Sequence, residues 1–69
     1  MKVICSTNTR IELGDLSWAD WNAMFVWCRE TVGERHVDWD YIRVIKRQQD
    51  ILTFRNNEDL LAFRLRFGV

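Results

Sequence analysis

The sequence predicts a small α+β fold of two layers, a compact antiparallel sheet with two helices on one of its faces. Three observations carry that prediction. Short stretches rich in β-branched residues flank a segment with helical apolar spacing, a full set of helix start and stop signals occupies the C-terminal third, and 69 residues provide for one core only. The whole chain, residues 1–69, is therefore read as one domain.

Lys2 to Thr7 (KVICST) is β-branched and apolar, as a buried strand is. Asn8 and Thr9 mark a turn, after which Ile11 and Leu13 alternate with Arg10 and Glu12. That second stretch is either a strand closing a hairpin or an extended lead-in to the helix. Gly14-Asp15 breaks the pattern, and Ser17 followed by Asp20 forms an N-cap and capping-box signal. From Trp18 to Val32 the apolar residues Trp18, Trp21, Phe25, Cys28 and Val32 recur at steps of three and four, one helical stripe that Gly33 ends.

Beyond the polar connection Gly33 to Asp38, Tyr41 to Arg47 and Ile51 to Arg55 read as two strands joined through Gln48-Gln49-Asp50. Alternation over these strands predicts Ile42, Val44, Leu52 and Phe54 facing the helices. Tyr41, Arg43, Ile45, Ile51, Thr53 and Arg55 then face away. Asn56 and Asn57 precede a second helix with Glu58 and Asp59 at its start, Arg64 and Arg66 near its end and Gly68 as its stop. Phe63 to Phe67 also alternates strictly, so a short helix followed by an edge strand is the competing reading. The predicted order is β(β)αββα, or the ferredoxin-like βαββαβ if the tail is a strand.

ILTFRNNEDLLAFRLRFG, residues 51–68, resembles a terminal pattern of small accessory proteins of tailed bacteriophages. In that pattern an apolar strand ends in Phe, and an Asn/Glu/Asp-rich turn leads to a helix closed by Phe-x-Leu-x-Phe-Gly. The resemblance covers about a quarter of the chain, consists of capping and core positions, and brings no functional residues. It implies a phage-encoded protein that acts in the host cytoplasm by binding host or phage proteins.

A chain of this size buries only about 60% of the surface it exposes when unfolded. Nine aromatic side chains, four of them tryptophan, supply the bulk that a disulfide or metal supplies elsewhere. Net charge is zero, which argues against general polyanion binding, but the charge is unevenly spread: residues 1–40 sum to −3 and residues 41–69 to +3. Cys5 and Cys28 are too few for a disulfide framework and are expected as reduced, buried small hydrophobes. No secretory leader and no apolar run of membrane-spanning length is read, so a cytoplasmic location is expected.

Catalytic and metal-binding constellations are weak. Cys5, Cys28 and His36 show no metal-ligand spacing. Cys28 lies on the apolar stripe, shielded from any base. Asp38 and Asp40 are read as solvated loop acids rather than as a catalytic pair. The expectation is a protein that is not an enzyme and carries no cofactor and no metal.

Surplus apolar surface points instead to interaction. Trp27 falls well away from the first helix's core stripe, near Val26, with Met24 between the two faces. On the second helix Leu60, Phe63 and Phe67 form the core side, and Leu61 and Leu65 make a separate i, i+4 pair. Met24, Val26, Trp27, Leu61 and Leu65 are thus the predicted contacts for a protein partner or a second copy. The competing reading packs them inside the monomer, against residues 8–13 and 33–40. A different function, single-stranded nucleic-acid binding, would use Tyr41, Arg43 and Arg55 on the outward sheet face.

Overall fold

The computed structural model describes every residue from Met1 to Val69 and has the expected α+β architecture. Its elements are β1 (Lys2–Ser6), β2 (Arg10–Gly14), α1 (Trp18–Trp27), β3 (Trp39–Val44), β4 (Gln49–Phe54) and α2 (Asn57–Phe67). The strands form one antiparallel sheet in the order β1-β2-β4-β3. No helix is long and apolar enough to cross a membrane.

Residues 10–14 are a strand, which settles the hairpin reading, and the tail is helical through Phe67. The alternation of Phe63 to Phe67 yields to helix because Leu60 and Phe63 enter the core one turn apart, and Gly68 ends the helix in the left-handed region at φ 68°. The start of α1 follows its sequence signal closely. Asp20 N–H donates to Ser17 Oγ at 3.1 Å, and Ser17 N–H donates to Asp20 Oδ2 at 3.2 Å, a reciprocal capping box. Past Trp27 the helix widens into a π turn over Cys28–Val32, and Gly33 N–H closes it on Cys28 O at 3.0 Å.

The core lies between the helices and one sheet face. Ile11, Leu13, Leu52, Phe54 and Trp39 come from the strands, Met24 and Cys28 from the first helical segment, and Leu60 and Phe63 from α2. Cross-strand register explains the strand contribution, because Ile11 pairs with Leu52 and Phe54 with Trp39, and paired residues share a face.

Three expectations are corrected. The phase of β3 is inverted: Tyr41 and Arg43 lie opposite Leu52 and Asp50 on the helix side, while Ile42 lies opposite Ile51 on the other. The cause is an earlier strand start. Trp39 is buried as the first residue of β3, and with a period of two it carries Tyr41 and Arg43 inward with it. Ile45 leaves the strand altogether for a 3₁₀ turn, Ile45–Arg47, completed by Gln48 at φ 51°. On α1 and the π turn that follows it the buried pair is Met24 and Cys28; Trp21, Phe25 and Val32 are half-buried, and Trp18 is 76% exposed. The third correction is Cys5, which is exposed rather than buried.

Candidate interaction surfaces

The five residues predicted to contact a partner separate in the structure. Met24 is fully buried, so it belongs to the core and not to a contact surface. Its position between the two faces of the helical wheel falls on the buried side, in one core with Leu60 and Phe63 of α2. Trp27 is half-buried, with its ring edge-to-face on Phe63 at 5.8 Å and on Phe67 at 6.0 Å. The indole thus joins α1 to α2 inside one protomer, and Val26 beside it is also half-buried. Leu61 and Leu65 remain open, 61% and 78% exposed one turn apart on α2. Leu61 also borders a shallow groove of about 230 Å³, shared with Thr7, Asn8, Asn57, Leu60 and Arg64.

The proposed nucleic-acid platform does not assemble. Tyr41 and Arg43 lie on the helix side of the sheet, whereas Arg55 is exposed beyond the end of β4. The face away from the helices displays no aromatic ring. Its residues, by register, are Cys5, Glu12, Ile51 and Ile42 in one row, flanked by Arg10, Thr53 and Asp40 on one side and Lys2, Gly14, Gln49 and Val44 on the other. Ile4, at an irregularity in β1, lies over Gly14 on this same face. Ile42 is 60% exposed, and Ile45 beyond it is 80% exposed.

Between α1 and β3 the sequence builds a polar site that the strand reading did not anticipate. Asp50 is buried and opposite Arg43, whose Nη1 donates to both carboxylate oxygens at 3.1 Å. Tyr41 Oη donates to Asp50 Oδ1 and accepts from Trp21 Nε1 at 3.2 Å. Burial, with the Asp50 carboxylate next in importance, pushes the Tyr41 phenol above its ordinary range. The Asp50 carboxylate raises Arg43 further still, so this guanidinium remains charged. A sequence signal did exist: an acid two residues before Leu52 on a strand whose even positions point inward must itself point inward.

Above this network Trp18, Trp21 and Phe25 form a column of rings along α1. Trp18 and Trp21 stack at 5.3 Å and 15°, and Trp21 and Phe25 at 4.3 Å. The Arg35 guanidinium closes the far end, 5.5 Å from the Phe25 ring centre. Leu16, Ser17, Trp18, Trp21, Tyr41 and Arg43 line an open groove of about 340 Å³ at the near end.

Two acids of the 33–40 segment have structural partners. Asp38 Oδ2 accepts from Glu34 N–H at 3.0 Å. Asp40 Oδ1 accepts from Tyr41 N–H at 2.8 Å and lies 3.1 Å from His36 Nδ1; these contacts, the backbone one foremost, hold its carboxyl below the usual range. The two acids thus engage different groups of one loop, Asp38 the Glu34 backbone and Asp40 the Arg35 and His36 side chains. Burial, reinforced by the carboxylate of Asp59, pushes the Cys28 thiol up to about 12. No three His, Cys, Asp or Glu side chains cluster as a metal site would require. No family model, no curated protein and no solved structure matches the chain.

Proposed function

We propose that this protein is a non-catalytic interaction module that binds a protein partner through the outer face of α2. The observation that carries the reading is the Leu61–Leu65 pair: two leucines one helical turn apart, both largely in water, beside a groove framed by polar side chains. Burying each would contribute roughly 1.5–2 kcal/mol, so the pair with its rim is enough for a useful complex. An apolar i, i+4 pair laid into a partner's groove is a standard mode of helix recognition. The pair falls within the stretch that resembles phage accessory proteins, which fits a host or phage protein as the partner.

The test is affinity capture from bacterial extract with the wild-type chain and with the double variant Leu61→Ser, Leu65→Ser. Both substitutions are at exposed positions, so the melting temperature is expected to hold within a few degrees. A protein retained by the wild type and lost by the variant supports the reading. Equal retention by both, or retention of nothing, overturns it.

A further inference from the structure

We infer that the groove between the start of α1 and β3 binds a proline-rich peptide segment in the extended polyproline conformation. The groove is separate from the outer face of α2, and the inference does not rest on the reading of that face.

The groove stands on a fixed base. Asp50, 1% exposed, accepts from Tyr41 Oη and from Arg43 Nη1, and Tyr41 Oη in turn accepts from Trp21 Nε1 at 3.2 Å. Trp21 stacks on Trp18 at 5.3 Å and meets the Tyr41 ring at 81° and 6.3 Å. The aromatic walls thus stand at an angle to one another, and the deeper rings are anchored before any ligand arrives. Trp18 caps the stack while 76% exposed, a position where core packing does not call for an indole. Leu16 and Ser17 complete the lining.

Hydrogen bonding selects the occupant. The acceptors of the lining side chains are engaged, Tyr41 Oη by Trp21 and Ser17 Oγ by Asp20 N–H at 3.1 Å, and beneath them Asp50 is engaged by Tyr41 and Arg43. Donors are what remain. Trp18 Nε1–H has no acceptor within the protein, Arg43 bonds Asp50 through Nη1 alone and so keeps Nε and Nη2, and Ser17 keeps its hydroxyl proton. A matching ligand presents flat apolar surface and acceptors, with few donors of its own. A run of prolines does this: its rings pack on aromatic faces, its carbonyls accept, it has no N–H, and its stiff backbone loses little entropy on binding.

Other occupants match less well. An oligosaccharide brings a hydroxyl donor with every hydroxyl acceptor, and the lining side chains have no unengaged acceptor to meet it. A nucleic-acid strand brings phosphates, but the Arg43 charge is already matched by Asp50, and the start of α1 is closed by the Ser17–Asp20 box. A second copy cannot supply the segment, since the chain contains no proline.

Two proline residues offer about 14 non-hydrogen atoms, which at the efficiency of a small ligand sets a dissociation constant on the order of 0.1–1 mM. Titration of the intact chain with blocked decaproline through that range tests the inference, read from the indole N–H resonances. The Trp18 resonance is expected to shift while those of Trp27 and Trp39 stay. Trp18→Ala, a change at an exposed site, is expected to weaken binding at least about tenfold with the melting temperature held within a few degrees. Trp18→Phe keeps a ring without the donor and should lose roughly threefold. The double variant Leu61→Ser, Leu65→Ser leaves the titration unchanged, so this site and the α2 face succeed or fail separately. No shift of Trp18 overturns the inference, as does binding that Trp18→Ala retains in full. A shift produced by oligothymidylate or cellohexaose and not by decaproline overturns it too, and assigns the groove to that class instead.

Discussion

The Tyr41 hydroxyl reaches diagonally across the β3–β4 pair to donate to the buried carboxylate of Asp50, whose direct cross-strand partner is Arg43. One acid thereby holds a phenol and a guanidinium in fixed positions at the lip of the Trp18 groove. Asp50→Ala strands both donors and leaves a small void. Since Arg43 can turn to water, the expected cost is about 2–3 kcal/mol, a fall in melting temperature of roughly 10 °C or more. Tyr41→Phe should cost less, about 1–2 kcal/mol. Thermal unfolding by circular dichroism measures both.

The burial of Tyr41, with its bond to Asp50, makes stability depend on alkaline pH. Tyr41 is raised in the folded state, chiefly by burial and then by Asp50. Below the ordinary tyrosine value of about 10 the phenol is protonated whether folded or not, and its contribution is complete. Above it the unfolded chain loses the proton first, so the folded state binds more protons and stability falls as pH rises toward the folded value. Tyr41 is the single tyrosine, so phenolate absorbance reads it directly. Its midpoint is expected above that of the urea-unfolded chain, and Tyr41→Phe should flatten the alkaline loss of stability.

Gly33 holds the exit from the first helical segment at φ 143°, where side chains are strained, and a Cβ there would collide with Asp38 Oδ2. Gly33→Ala must therefore displace the carboxylate that accepts from Glu34 N–H, next to the Gly33 carbonyl that receives Trp39 Nε1–H. A loss of about 2–3 kcal/mol is expected from urea unfolding.

The two cysteines should differ sharply in reactivity. Cys5 is exposed, whereas Cys28 is buried with its thiol pushed up to about 12, so almost none of it is thiolate near neutral pH. One equivalent of iodoacetamide label is expected on the native monomer at pH 8, and two only after denaturation, as counted by mass spectrometry.

Trp27→Ala is expected to destabilise the fold by about 2–3 kcal/mol, less than for a fully buried aromatic. The ring packs on Phe63 and Phe67, and its loss unties α1 from α2. A melting temperature equal to that of the wild type would place the indole's role outside the protomer.

Element order was legible because each boundary has a local cause: the Ser17–Asp20 box, the glycine stops, and the acidic start and basic end of α2. Facing was legible for β4 and α2, where Leu52, Phe54, Leu60 and Phe63 are buried as their spacing requires. It failed on β3 because one buried residue, Trp39, preceded the segment read as strand and fixed its phase. Of the residues predicted as contacts, Leu61 and Leu65 are exposed whereas Met24 is buried and Val26 and Trp27 are half-buried, for a related reason. A helical wheel shows which residues share a side, but a helix wedged between a sheet and a second helix has two buried sides.

Trp18 and Trp21, near-parallel and one turn apart, amount to a pair of coupled chromophores at the rim of the molecule. At that separation the two indoles couple electronically, so their far-ultraviolet absorption and circular dichroism change when the first turn of α1 frays. The chain therefore carries its own optical reporter of local opening near the groove, readable without any label and separable from the global melt that the helix bands follow.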